Sequence, residues 1–292
     1  MSTRRFRWIS GPHGAIPATE HLPPEGVRTR ARVILCNAGQ VGRVGPQRLY
    51  VTAAEAWADA GIHVLRIDLA GTGDAVAENA ARHFDGHDPL EAAAVVDAAG
   101  TDVPVVLAGL CAGARVALRA AAIRSNVAGV LTWGCPIVSS APGSLKSPYE
   151  TAETAKRAET DETRHAVRDA FRAGNLLRPD WLLRRVRYAP REMLALARAL
   201  LGQFRTRPDA RNPFLADLDR LVDSGRPLLF VYGQRDAPHF GEFVDLYRPR
   251  LTAPLQQDRE IAFANHTFNS LHSQAEAIRH GREWLDSLLA GR

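Results

Sequence analysis

A chain of 292 residues with 46% hydrophobic and 24% charged side chains has enough apolar material for one large core, which excludes a disordered, fibrous or coiled-coil protein. No apolar run reaches the roughly 20 residues of a membrane span, and the first six residues lack the apolar core of a Sec-type leader, so a cytoplasmic location is expected. The net charge is +5, and the three cysteines (Cys36, Cys111, Cys135) are odd in number and widely spaced, which favours free thiols over disulfides.

Residues 4–10 alternate in polarity and read as an edge strand, with Pro17, Pro23 and Pro24 marking turns after it. Residues 31–36 form a short apolar strand that ends in the loop Asn37-Ala38-Gly39-Gln40-Val41-Gly42. A helix is expected from Pro46 to Ala60, closed by Gly61. Residues 62–67 are a second buried strand, running into Asp68-Leu69-Ala70-Gly71-Thr72-Gly73-Asp74. Asp88-Pro89 opens a further helix that ends near Gly100. A third strand at 103–108, a helix at 112–124 and a fourth strand at 127–133 follow. This alternation predicts βαβ units: an α/β fold with a mainly parallel sheet covered on both faces.

The alternation stops at Ile137. No strand is legible up to Asn212, whereas Ser147-Pro148-Tyr149-Glu150 reads as a helix start. Met193, Leu194, Ala197, Leu200 and Leu201 make one apolar helix face. Residues 137–212 are therefore expected to be a helical lid inserted into a core domain of residues 1–136 and 213–292. The sheet resumes at 228–232 and again near 257–263, and a helix from Ser270 to Leu289 ends the chain.

The positive charge is concentrated. Residues 172–211 hold ten arginines, Arg184, Arg185 and Arg187 among them, against Asp180, Glu192 and Asp209, which exceeds the whole chain's net charge. Such a patch points to an acidic partner, with a solvated helical face as the plainer reading. Nucleic acid is not indicated, because no aromatics interleave with the arginines and no known motif is present. The ten histidines and three cysteines never form a short C-x-x-C or H-E-x-x-H cluster, so neither a metal nor a cofactor is called for.

The third strand turns into its helix through Gly109-Leu110-Cys111-Ala112-Gly113. This G-x-nucleophile-x-G run resembles the strand-to-helix elbow of the α/β-hydrolases, with Cys in place of the usual Ser. Small residues must flank such a turn, and the nucleophile sits at a helix N-terminus, where the dipole favours a thiolate. A triad then requires an acid and a histidine later in the chain, each after a strand. Asp236 follows the strand at 228–232, and His266 precedes the final helix. The alternative acid position, after the strand at 127–133, holds Gly134-Cys135-Pro136 and no carboxylate. His239 lies too close to the acid, His272 and His280 read as helical, and all three are assigned solvated or capping roles. For the oxyanion hole, the N–H of Ala112 directly follows the nucleophile. Gln40 is chosen as second donor by setting Gly39 on the Gly of the family's usual His-Gly, where Ala38 replaces the His. The loop from Asp68 to Gly73 is read as structural.

On these residues the chain is identified as a member of the α/β-hydrolase superfamily with a cysteine nucleophile. It is similar in detail to the exosortase-associated hydrolases, through Asn37-Ala38-Gly39, Arg43-Val44-Gly45-Pro46-Gln47-Arg48, the Gly109-Leu110-Cys111 elbow and His266-Thr267-Phe268. Through Cys111, Asp236 and His266 it also resembles the cysteine acyl- and aminoacyltransferases that act on carrier proteins in nonribosomal peptide and polyketide pathways. Dienelactone hydrolases share the Cys elbow but have a much smaller lid. The resemblance implies a covalent acyl-Cys111. A thiolate exchanges acyl groups with a thioester at nearly equal energy, but attacks an oxygen ester uphill. The expected donor is therefore an acyl-thioester on coenzyme A or an acidic carrier protein, with the acyl group passed to water or to an acceptor. Hydrolysis of small esters or lactones, and a non-catalytic ligand-binding role, are the alternatives.

Overall fold

The computed structural model describes residues 3–76, 88–137 and 213–291. Eight strands form one sheet: β1 (Thr3–Gly11), β2 (Gly14–Leu22), β3 (Ala31–Cys36), β4 (Ile62–Ile67), β5 (Val105–Leu110), β6 (Val127–Trp133), β7 (Leu228–Gly233) and β8 (Gln256–Ile261). Their spatial order is β1-β2-β4-β3-β5-β6-β7-β8. The hairpin β1–β2 is antiparallel and joins β4 antiparallel; every other pairing is parallel.

Strands β4 to β7 are buried along their whole length, as expected for parallel strands covered on both faces. Successive side chains alternate between two cores. Ile34, Leu107, Val130 and Phe230 pack under α2 (Pro89–Ala98), α3 (Ala112–Ile123), α4 (Pro213–Asp223) and α5 (Ala237–Leu246). Val33, Leu35, Val106, Leu131 and Leu229 pack under α1 (Leu49–Ala58) and α6 (Leu271–Ala290). In the second core Trp57 stacks on Trp133 at 5.8 Å, and its Nε1–H donates to the carbonyl of Ile278 at 3.2 Å. Trp57→Ala is therefore expected to lower stability by about 3–5 kcal/mol, read from urea denaturation, because it removes both the aromatic volume and a satisfied donor.

The element order follows the pattern read from the sequence, with three corrections. First, Pro17 does not mark a turn but lies inside β2 opposite Trp8, and the turn falls earlier, between Gly11 and Gly14. The Pro17 carbonyl accepts from the Asp68 N–H at 3.1 Å. In a strand the N–H and C=O of one residue point to the same side, so the missing donor of Pro17 faces past the end of β4 and the β1 ladder loses nothing. Second, β5 runs to Leu110 rather than Ala108, because Gly109 and Leu110 still pair with Thr132 and Trp133. Third, α4 and α5 are helices not read from the sequence. The lid expected at 137–212, and Arg184, Arg185 and Arg187 within it, lie outside the described residues, Ile137 excepted. Among the described residues no helix is long and apolar enough to cross a membrane.

Candidate active site

From β3 the chain passes to β4 on one side, then to β5 on the other, so the strand order reverses between β3 and β5. In an open α/β sheet the crevice at the carboxyl ends of such strands is where ligands bind. The loop after β3 and the turn after β5 both open there.

Cys111 is the residue of that turn. Its backbone, at φ 55° and ψ −117°, lies in a region that L residues rarely occupy. Its N–H donates to the Trp133 carbonyl at 3.0 Å, which ties the turn to β6. The two glycines of the motif are required for different reasons. A Cβ on Gly109 would come closer than 3.0 Å to the backbone of Gly113, and one on Gly113 would strike the carbonyls of Cys36 and Asn37 at the end of β3. Tyr50 fixes the same junction from below. Its hydroxyl donates to the Cys36 carbonyl at 2.9 Å and accepts from the Leu110 N–H at 2.7 Å. Tyr50→Phe strands both backbone groups in a dry core and is expected to destabilise the fold by about 1–3 kcal/mol in chemical denaturation.

Asp236 and His266 come from adjacent turns, after β7 and β8. The two turns meet backbone to backbone: the Arg235 N–H donates to the Ala264 carbonyl at 2.8 Å, and Gly233 leaves no room there for a Cβ. Asp236 is buried, and its Oδ2 lies 2.8 Å from His266 Nδ1. A carboxylate only accepts, so Nδ1 carries the proton and Nε2 is left for chemistry. Gly134, at φ 51°, lies under this pair, and a Cβ there would sit 3.0 Å from His266 Nδ1 and 3.2 Å from Asp236 Oδ2. The position that lacks an acid in the sequence thus makes space for the acid–histidine pair. Burial by itself would lower the His266 pKa, but the hydrogen bonds with Asp236 and then the Cys111 thiol together lift it well above the ordinary histidine range. The structure thus brings Cys111, His266 and Asp236 together.

His239 is not a solvated or capping side chain. It lies in the first turn of α5, its ring is 5.3 Å from that of His266, and its Nδ1 is buried without a hydrogen-bond partner. Burial lowers its pKa, so the ring is kept neutral. Asp236, His239 and His266 offer ligand atoms within 4.8 Å of one another, the one such group of three among the described residues. No short motif announces it, because His266 arrives from a different loop.

Ala112 opens α3, so its N–H belongs to the first turn, which has no acceptor within the helix. Gln40 lies at the corner of a tight turn closed by the Val41 N–H on the Ala38 carbonyl at 3.0 Å, and Gly39 supplies the positive φ of 58° that the turn needs. The Asn37 side chain holds the turn, donating to the Gly39 carbonyl at 2.6 Å and accepting from the Leu69 N–H at 3.0 Å. Arg43 anchors its far end to buried Asp68 through both its backbone N–H and its guanidinium. Asp68 is thus structural, in keeping with its sequence reading. The remaining thiols are fully buried. Burial, then Glu91, pushes Cys36 up to about 12, and burial also pushes Cys135 up.

A family model described as "Alpha/beta hydrolase family" matches residues 14–279. No curated protein sequence matches the chain. Among solved structures, a dienelactone hydrolase from Anabaena variabilis is 15% identical, with a TM-score of 0.57 and 98% of each chain covered. An esterase from Thermogutta terrifontis is 19% identical, with a TM-score of 0.54 and 98% and 99% covered. A serine hydrolase without a lid from Xanthomonas campestris is 17% identical, with a TM-score of 0.53 and 96% and 94% covered. At these identities the likeness is one of fold.

Proposed function

The chain belongs to the alpha/beta hydrolase family, and from that premise we propose that it transfers acyl groups through a covalent acyl-Cys111, taking them from an acyl-thioester. The observation that carries this reading is a cysteine at the strained apex of the β5–α3 turn, beside a histidine already hydrogen-bonded to a buried aspartate. In the first step the Cys111 sulfur attacks the thioester carbonyl, with its proton held by His266 Nε2. Asp236 keeps the imidazole oriented and stabilises its positive charge. The N–H groups of Ala112 and Gln40 receive the tetrahedral oxyanion. The carbon–sulfur bond to the donor then breaks, and His266 returns the proton to the departing thiol. Water or an amine, alcohol or thiol acceptor releases the acyl group by the same steps in reverse. No cofactor or metal takes part in this route.

Hydrolysis of small oxygen esters or lactones is the second reading, supported by the dienelactone hydrolase and esterase whose fold the chain shares along nearly its whole length. The two separate in one assay, kcat/KM for an acyl-thioester against the matched oxygen ester. The first reading requires the thioester to lead by at least about tenfold; parity or a reversed order selects the second.

For the thioester donor we propose an acidic carrier protein or coenzyme A, held by Arg184, Arg185 and Arg187. Replacing all three with Gln is expected to raise KM for a carrier-bound substrate several-fold and leave a small thioester nearly unchanged. The defect should shrink with added salt, since charges are screened over about 8–10 Å at physiological ionic strength. Equal loss on both substrates would instead give these arginines a role inside the pocket or the lid.

A further inference from the structure

We propose that Asp236, His239 and His266 form a binding site for one zinc ion, which switches the candidate active site off by occupying His266 Nδ1. The three donors converge from α5, the turn before it and the loop after β8, with their ligand atoms inside 4.8 Å. Two imidazoles and a carboxylate match the donor sets of open zinc sites, in which a fourth position stays free. Zinc holds nitrogen and oxygen at about 2.0–2.2 Å, which places tetrahedral donors about 3.3 Å apart. The Asp236–His266 pair is already closer than that, at 2.8 Å, so its members open slightly, and His239, within 4.8 Å, closes by at most about 1.5 Å through side-chain rotation. The second observation pointing to a ligand is His239 Nδ1, a buried ring nitrogen with no hydrogen-bond partner. Burying such an atom without a partner is unfavourable, and a bound ion satisfies it.

The chemistry balances without a redox step. Zinc forms a bond to His266 Nδ1, and the proton that Nδ1 shared with Asp236 leaves to solvent. The neutral ring then carries its remaining proton on Nε2, the side left for Cys111. Giving up that proton would leave an imidazolate, so the ring can neither take a further proton from Cys111 nor return one to a departing thiol. The consequence for catalysis rests on the proposed role of His266; zinc binding itself does not.

The test is isothermal titration of chelator-treated protein with zinc chloride, together with iodoacetamide labelling of Cys111 followed by mass. One zinc per chain is expected. Cys111→Ala should keep the affinity within about threefold, whereas His239→Gln and His239→Phe should each weaken it at least tenfold. Zinc should slow the labelling of Cys111, and a chelator should restore it, in the wild type but not in the His239 variants. Loss of binding in Cys111→Ala would assign the zinc to the thiol and overturn the site. Unchanged affinity in both His239 variants, or no binding to the wild type, would overturn it as well. Retained binding alongside a Cys111 that forms no acyl adduct would leave the zinc site standing and remove only the proposed catalytic reading.

Discussion

Cys111→Ala is expected to abolish turnover, lowering kcat/KM by about 10⁴-fold or more, while circular dichroism and the melting temperature stay close to wild type. Removing the nucleophile of a cooperating triad leaves only the catalysis that binding and oxyanion stabilisation supply. A loss of 10⁴ corresponds to about 5.5 kcal/mol of transition-state stabilisation. The fold should tolerate the change because alanine keeps the Cβ and the backbone hydrogen bond to Trp133, and only one sulfur atom is removed. Cys36→Ala and Cys135→Ala are the controls. Cys36 ends β3 and Cys135 lies in the loop after β6, but both are fully buried, with thiols held up by that burial. Each should keep near-wild-type kcat. Retained activity in Cys111→Ala, with loss in either control, would move the nucleophile.

Asp236→Asn is expected to lower kcat by about 10³–10⁴-fold, against less than about threefold for Asp217→Asn or Asp223→Asn. The scale is that of the same change at the triad aspartate of chymotrypsin. The substituted side chain can present its amide N–H to His266 Nδ1, which would favour the wrong tautomer. The change also removes the first of the interactions that raise the His266 pKa. The imidazolium should therefore deprotonate at a lower pH in the variant, a shift readable from the His266 ring signals by NMR. The sign for stability follows from the same raised pKa. The contribution of this pair to folding is fully present below the unfolded histidine value near 6.5 and is lost as pH rises through the higher folded value. Asp217 and Asp223 pair with Arg119, Arg220 and Arg250 away from the crevice, so they report only the generic effect of removing a carboxylate. A small loss in Asp236→Asn would mean that His266 holds the thiolate without help from the acid.

Much of this site was legible because its parts are local. Gly109 and Gly113 announce the turn, since a side chain at either would collide with backbone. Asp236 follows an apolar strand and His266 precedes the final helix, so chain order alone placed them at one edge of the sheet. The strands that came through best, β3, β4 and β6, are short, mainly apolar runs rich in branched side chains and free of proline. β2 was hidden because Pro17 reads as a breaker until the side its missing donor faces is known. The roles of Tyr50, Gly134 and His239 depend on segments distant in the chain. Tyr50 bridges β3 to β5 from α1, Gly134 makes space for side chains from two later loops, and His239 meets His266 only when α5 packs beside the loop after β8. None of these contacts leaves a spacing pattern. The sharp ends of β5 and β8 were missed for a related reason: pairing to a neighbour, not local polarity, decides where a strand stops.

The most direct test is to mix the protein with an acyl-coenzyme A, quench in acid within the first turnover and weigh the intact chain. A single acyl mass on Cys111, located by peptide fragmentation and absent from Cys111→Ala, is the expected result. Turnover of the same thioester with no adduct on Cys111 at any quench time, or an adduct that persists in Cys111→Ala, would contradict it.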